Sequence, residues 1–338
     1  MASDISMGSV TSNAVSPIFL FSTARSGSTL LQRILGSYPE IATVAEPWLL
    51  IPLVYAFRKR GVFAEYEHGL MSNALEDFCA QLPQGQEDFN TEARRFATQL
   101  YAHNLEPQHR YFLDKTPPYF LIVDEILEMF PDAKFVFLWR NPLAVAASLA
   151  EWPQRHWGGL YRENLFYGLA NLISAYQRNA HRAHAIRFED YLAGDTETWR
   201  SLMAYLDLPF RPESLSEFSD VELTGRMGDK HGVMLYEQLS QEPLTKWRHV
   251  LTNPLRKEAA RRYLSWIGEE RLAVMGYDAH ELYGELDAIP TDTRHLGSDA
   301  KNFAKVLVTE PLYARLRSMT NVGRPSSLRY ILGARRGP

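Results

Sequence analysis

The chain has 338 residues, 46% of them apolar and 22% charged, which is ample material for a core and excludes a disordered chain. A formal net charge of −4 gives no overall pull toward nucleic acid, so any basic site has to be local. Cys79 is the only cysteine, which rules out an internal disulfide or a multi-cysteine metal centre and suits a reducing compartment, with the cytoplasm as the expected location.

Residues 1–16 are Ser-rich and lack a basic start followed by an apolar core, so they are expected to form a loose arm and not a secretory signal. No stretch reaches the roughly 18–20 continuous apolar residues that span a bilayer. Ile18 to Phe21 is a short apolar run after Pro17, the pattern of a buried strand. Ser22 to Ser28 is small and polar around Gly27, and from Thr29 onward Leu30, Leu31, Ile34 and Leu35 recur at helical spacing. Strand, tight loop and helix in that order aim the unpaired N–H groups of the helix N-terminus into the loop. Ser26, Ser28 and Thr29 add hydroxyls there and Arg25 adds a positive charge. This is a cradle for an anion such as a phosphate, although an ordinary ligand-free turn uses the same residue types. It is not a Walker loop: with Gly27 on that motif's second glycine, Ser22 stands at the first glycine and Ser28 at the lysine.

Ile41 to Ala45 predicts a second strand, ending at Glu46-Pro47-Trp48. A poorly solvated carboxylate beside an anion loop suits a general base, and an acid ahead of a helix starting near Pro47 equally suits an N-cap. Residues 58–108 turn charged and amphipathic, with helical patterns over Asn73 to Leu82 and Thr91 to Leu105, and predict a helical insertion over the sheet. Tyr111 to Leu113 resumes the strand pattern and runs into Asp114-Lys115-Thr116-Pro117-Pro118, where Lys115 is either an anion ligand on a stiffened turn or a solvated loop lysine.

Lys134 to Trp139 is the clearest buried strand and ends at Arg140-Asn141-Pro142. Asn141 is placed to cap, and Pro142 to open, an alanine-rich helix that carries Ser148 on the same face as Asn141. Trp152 and Trp157 gather near Gly158 and Gly159, either as faces for a ring-bearing acceptor or as a core cap. A helix is expected over Glu163 to His181, a fifth strand over His184 to Phe188, and helices over Trp199 to Leu206 and Leu255 to Met275. Gly225 to Gly232, with Arg226 and Lys230, and then Lys246-Trp247-Arg248 suit a segment folding over an anion, with a solvated loop as the alternative for the first two cations. From Pro311 onward there is no acid while Arg315, Arg317, Arg324, Arg329, Arg335 and Arg336 accumulate, the makings of a solvated tail or a peripheral contact with an acidic lipid surface. Five strands interleaved with helices predict an α/β three-layer domain with a mostly parallel central sheet.

The loop Arg25-Ser26-Gly27-Ser28-Thr29-Leu30 resembles the 5′-phosphosulfate loop of sulfotransferases that use 3′-phosphoadenosine 5′-phosphosulfate (PAPS). Its arginine is closer to the carbohydrate and tyrosylprotein enzymes than to the lysine of small-phenol enzymes. Arg140 with Ser148 eight positions later is similar to the family's 3′-phosphate clamp, and Arg187-Phe188-Glu189-Asp190-Tyr191-Leu192 to its Tyr-Glu-Asp-Leu segment. The resemblance covers residues 17–280, leaving a basic extension over 281–338, and implies the sulfotransferase branch of the P-loop-like fold. It implies cofactor binding by Arg25, Ser26, Gly27, Ser28, Thr29, Leu30, Arg140, Ser148 and Lys246. Phe188 is implied near the adenine, where it lacks the hydroxyl of the family's tyrosine. Glu46 is implied as the base toward the acceptor hydroxyl, and Lys115 and Arg25 as stabilisers of the leaving phosphate, with PAPS as co-substrate and no metal. The implied acceptor is a small molecule or glycan, with saccharide hydroxyls first, and not a nucleic acid. Two rivals stand beside this reading: an ATP-dependent small-molecule kinase, weakened by the missing Walker lysine, and a non-catalytic nucleotide-binding protein that keeps the fold.

Overall fold

The computed structural model of the chain describes residues 15–59, 62, 64–151, 163–227, 239–301 and 304. Its centre is a sheet of five strands: β1 (Ser16–Phe21), β2 (Ile41–Thr43), β3 (Tyr111–Asp114), β4 (Lys134–Trp139) and β5 (Ala183–Arg187), in the spatial order β2-β3-β1-β4-β5. Every pairing is parallel, with Phe19 opposite Asp114 on one side and Phe135 on the other. A parallel sheet is covered on both faces, which is why its strands read as nearly unbroken apolar runs.

Alternation along the strands divides the core in two. Phe19, Phe21, Phe112, Phe135 and Phe137 point to one face, where Phe19, Phe21 and Phe135 stack on each other. Ile18, Leu20, Leu113, Val136 and Leu138 point to the other. The second face is covered by α1 (Ser28–Gly36), through Leu31, Ile34 and Leu35, and by Tyr191, Trp199 and Leu202 from the helices Phe188–Leu192 and Thr196–Tyr205. The first face is covered by α2 (Leu50–Tyr55), α4 (Gln86–Ala102), α5 (Val123–Met129), α6 (Pro142–Ala150) and α7 (Leu169–Asn179), with the C-terminal helices, while α3 (His68–Cys79) packs against α4. This is the expected three-layer α/β arrangement.

Several boundaries depart from expectation, each for a local reason. The helix expected near Pro47 begins only at Leu50, because Trp48 takes a left-handed backbone with φ of 56°. The expected helix over Leu255 to Met275 is two helices, Pro254–Ile267 and Glu269–Val274, parted by Gly268 at φ of 78°. The helix expected from Glu163 opens as a π-helical turn over Glu163–Gly168 before regular α7. Phe188, expected to end the fifth strand, instead opens the helix Phe188–Leu192. The domain edge expected at residue 280 falls inside the helix Ala279–Ala288, whose Leu282 and Leu286 pack into the core along with Ile289. Among the described residues no helix is long and apolar enough to cross a membrane. The tail arginines from Arg315 onward lie outside the described residues.

Candidate active site

Four connections leave the carboxyl ends of β1, β2, β3 and β4 along one edge of the sheet, where open α/β sheets place their ligand crevices. The first is the loop between β1 and α1. Arg25 and Gly27 both adopt left-handed backbone, φ 69° and 86°, turning the chain sharply into the helix. A side chain at Gly27 is blocked twice over: by its φ, and by the Phe188 ring, which would lie 2.3 Å from a Cβ. The Tyr191 hydroxyl donates to the Gly27 carbonyl at 3.0 Å, the Ala24 N–H donates to Asn164 Oδ1 at 2.9 Å, and the Thr23 and Ser26 hydroxyls share a bond of 2.8 Å. The Leu30 and Leu31 N–H groups both go to the Gly27 carbonyl. Ser28 and Thr29 are the first helical residues, whose N–H groups have no acceptor within the helix, whereas the Leu30 N–H is already given to Gly27.

The fourth connection follows β4. Asn141 Oδ1 caps α6 by accepting the Leu143 N–H at 2.9 Å, and Ser148 one face along receives Arg25 Nε at 3.0 Å. Arg140 donates through Nη1 to the Arg25 carbonyl at 2.7 Å and through Nη2 to the Pro243 carbonyl at 3.1 Å, while its guanidinium lies 4.3 Å from the centre of the Phe188 ring. Arg140 Nε is buried with no partner among the described residues. Burial pushes the Arg140 guanidinium below the ordinary arginine range; Glu189 opposes this and the neighbouring Arg25 adds to it. The loop after β1 and the Arg140/Ser148 pair therefore form one continuous basic wall.

Phe188 is 3% exposed, wedged between Gly27 and Arg140, so it supports both walls of the loop from beneath. Lys246 belongs to the 3-10 turn Lys246–His249, three residues after Pro243. Its ammonium is exposed and pairs with Glu242 at 3.2 Å. Arg226 is exposed, in a segment whose Thr224 carbonyl accepts the Ala45 N–H at 3.1 Å and whose Gly225 packs on Ala45. Trp152, Trp157 and Lys230 lie outside the described residues.

The opposite wall is built from the ends of β2 and β3. Lys115, 1% exposed, gives its ammonium to Glu46 Oε1 at 3.0 Å and to Thr29 Oγ1 at 3.3 Å, so the lysine turn and the start of α1 touch directly. The second carboxylate oxygen of Glu46 accepts the Trp48 indole N–H at 3.2 Å. Glu46 is thus not a helix cap: α2 starts four residues later behind Leu49 and has no side-chain cap. Beneath this pair, fully buried Asp114 accepts the Tyr101 and Tyr119 hydroxyls at 2.7 and 2.9 Å on Oδ2 and the Thr116 hydroxyl at 2.9 Å on Oδ1. Burial pushes the Asp114 carboxyl up to about 6, with the three hydroxyls and Lys115 pulling the other way.

Sequence reasoning passed over Asp114, Trp48, Asn164 and Tyr191. A signal existed for Asp114, a carboxylate closing a strand with no exposed face. For Asn164, 140 residues from the Ala24 amide it receives, no local pattern announces the contact.

The profile of the Sulfotransferase family matches residues 17–212, more than half of the chain and all four of these connections. The nodulation protein NoeE of Sinorhizobium fredii (strain NBRC 101917 / NGR234) is 34% identical over 143 residues, 41% of this chain and 33% of NoeE. An uncharacterized protein of Aquifex aeolicus (strain VF5) is 32% identical over 135 residues, 39% of this chain and 16% of that protein, so the matches span a third or less of the curated relatives. Among solved structures, the sulfotransferase domain from the curacin biosynthetic pathway aligns at 22% identity and a TM-score of 0.47, over 76% of this chain and 98% of that domain. The sulfotransferase domain from the olefin synthase of Synechococcus PCC 7002 aligns at 23% identity and 0.48, over 70% and 89%. With its profile spanning the strands and loops that build the cleft, the chain belongs to the sulfotransferase family.

Proposed function

We propose that this chain transfers the sulfuryl group of PAPS to a hydroxyl of a saccharide or glycoconjugate. The observation that carries this reading is the adjacency of two cations, Arg25 and Arg140, on one wall of a cleft whose other wall holds a buried Lys115–Glu46 pair. Two guanidinium groups side by side repel unless an anion lies between them, and a doubly phosphorylated nucleoside supplies anionic groups for both. The donor set fits that guest: a buried Nε on Arg140 with no partner among the described residues, the Ser148 hydroxyl, and the N–H groups of Ser28 and Thr29 in the first turn of α1, at its positive end. A metal-binding carboxylate, which an ATP enzyme would want at the end of β4, is replaced there by Arg140.

PAPS, when bound, supplies a sulfuryl group whose bond to the 5′-phosphate oxygen breaks as the acceptor oxygen bonds to sulfur. Glu46 takes the acceptor's hydroxyl proton, held for that task by Lys115 on one oxygen and Trp48 on the other. Lys115, Arg25 and the Ser28 and Thr29 N–H groups balance the charge left on the phosphate, and Arg140 with Ser148 orients the 3′ end; Lys246 adds a further cation from the neighbouring turn. The saccharide assignment rests on the arginine type of the loop. An acceptor screen with radiolabelled sulfate on PAPS, followed by mass spectrometry of the product, tests it. Labelled oligosaccharide is the expected result, and label confined to phenols, tyrosyl peptides or lipids overturns the saccharide assignment. Calorimetry tests the donor: adenosine 3′,5′-bisphosphate should bind more tightly than ATP-Mg²⁺, and the reverse order overturns the reading.

A further inference from the structure

We propose that Asp114 is a positioning residue, which fixes the separation of Lys115 and Glu46 through two hydroxyl relays ending on the backbone N–H groups of Trp48 and Leu50. Only the purpose of that separation rests on the sulfuryl-transfer reading. Lys115 follows Asp114 directly, but Glu46 lies beyond the end of β2 in an irregular segment that runs through Trp48 at φ 56°. Left-handed backbone is unfavourable for a bulky residue, and such conformations persist where their surroundings over-determine them. Two contacts do so here. Thr116 Oγ1 accepts the Trp48 N–H at 3.4 Å and donates to Asp114 Oδ1 at 2.9 Å. The Tyr119 hydroxyl accepts the Leu50 N–H at 3.3 Å and donates to Asp114 Oδ2 at 2.9 Å.

A hydroxyl has one proton to give, so each relay runs from amide to carboxylate only while Asp114 offers an acceptor on each oxygen. Tyr101 of the insertion helix α4 donates to Oδ2 as well, at 2.7 Å, and so ties the insertion to the same carboxylate. Bonds arranged in series polarise one another in a buried setting, and Asp114, Thr116, Tyr119, Tyr101 and Leu50 are all buried, with only Trp48 reaching the surface. A simpler role for Asp114, as counter-charge to Lys115, does not match the contacts, because the ammonium goes to Glu46 and Thr29. The raised Asp114 carboxyl shows that burial disfavours its charged form, which the relays and Lys115 partly offset.

The test is the coupling between Glu46 and Lys115, measured by a double-mutant cycle of Glu46→Gln and Lys115→Met in chemical denaturation. The cycle is run in the wild-type, Asp114→Asn, Thr116→Val and Tyr119→Phe backgrounds. Asparagine puts a donor where one relay needs an acceptor, so the coupling should fall by half or more in Asp114→Asn and by a smaller fraction when either relay is cut alone. A stability loss with the coupling unchanged overturns the proposal, since a merely structural Asp114 lowers stability without touching that difference. Should Asp114→Asn fail to fold, the two hydroxyl deletions decide the matter by the same criterion. Calorimetry of the wild type with adenosine 3′,5′-bisphosphate runs alongside. Failure to bind would sink the donor reading while leaving the coupling result to stand or fall by itself.

Discussion

The two walls of the cleft treat charge in opposite ways. Along β1 and β4, two groups of the same sign, Arg25 and Arg140, lie together, and Arg25 works against the charge of Arg140 while Glu189 offsets this only in part, so this wall is unbalanced in the sense that like charges meet on it. Along β2 and β3, Lys115 is already matched by Glu46, and Asp114 by three hydroxyls. An unbalanced wall is organised for affinity, since an arriving anion relieves its repulsion. A balanced wall is organised for geometry, holding two groups of opposite sign within one hydrogen bond, which under the proposed function an arriving acceptor would part. The difference predicts that mutations on the two walls separate binding from turnover.

The largest effect expected is on the balanced wall. Glu46→Gln keeps the shape and the Trp48 contact but cannot take a proton, and turnover in the acceptor assay should fall roughly 10²–10⁴-fold. Its affinity for adenosine 3′,5′-bisphosphate should stay within a few-fold of wild type; a parallel loss of affinity would erase the distinction between the walls. On the unbalanced wall the order reverses. Arg140→Gln removes a buried cation, and calorimetry should show adenosine 3′,5′-bisphosphate binding weakened on the order of 10²–10³-fold. The variant's affinity should also depend less steeply on salt than that of the wild type.

Much of the unbalanced wall is legible in the sequence because its parts are local. The apolar run Lys134–Trp139 can only be a strand buried on both faces, Arg140 must follow it, and Asn141-Pro142 starts the helix that carries Ser148. Arg25 and Gly27 are likewise pinned between a strand and a helix with clear periods. The balanced wall is less legible, since it depends on where separate segments meet. Nothing near Tyr101 in a seventeen-residue helix says that its hydroxyl ends on Asp114. The left-handed Trp48 leaves no mark that distinguishes it from the helix start expected at Pro47. Gly268 shows the same limit in the periphery: one glycine in an otherwise helical pattern is tolerated or terminating depending on packing that the pattern does not contain.

A smaller and more diagnostic effect concerns pH. The Asp114 carboxyl sits at about 6 in the folded protein against 3.8 in an unfolded chain. Below about pH 3, a unit under the unfolded value, both states hold the proton and this group contributes no difference. As pH rises from about 3 to about 7 the unfolded chain releases its proton first, so this group alone makes folding less favourable, by on the order of 2–3 kcal/mol once the folded carboxyl too has ionised, about a unit above its own value. Denaturation measured at pH 4.5 and pH 7 should show that component in the wild type and not in Asp114→Asn. An unchanged pH dependence in the variant would mean that the carboxylate is solvated well enough to ionise normally.

The smallest effect discriminates between two uses of the turn at Lys246. Its ammonium is largely exposed and paired with Glu242 one helical turn earlier, an arrangement that contributes little to stability. Lys246→Ala should therefore leave denaturation unchanged within about 0.5 kcal/mol. If Lys246 turns from Glu242 to a bound phosphate, the variant should bind adenosine 3′,5′-bisphosphate several-fold more weakly, with the difference vanishing at high salt as expected of a mobile surface cation. An affinity equal to wild type at low salt would assign the turn a different part. It would then serve the unbalanced wall only through the Pro243 carbonyl that receives Arg140, holding the guanidinium in place with no charge of its own.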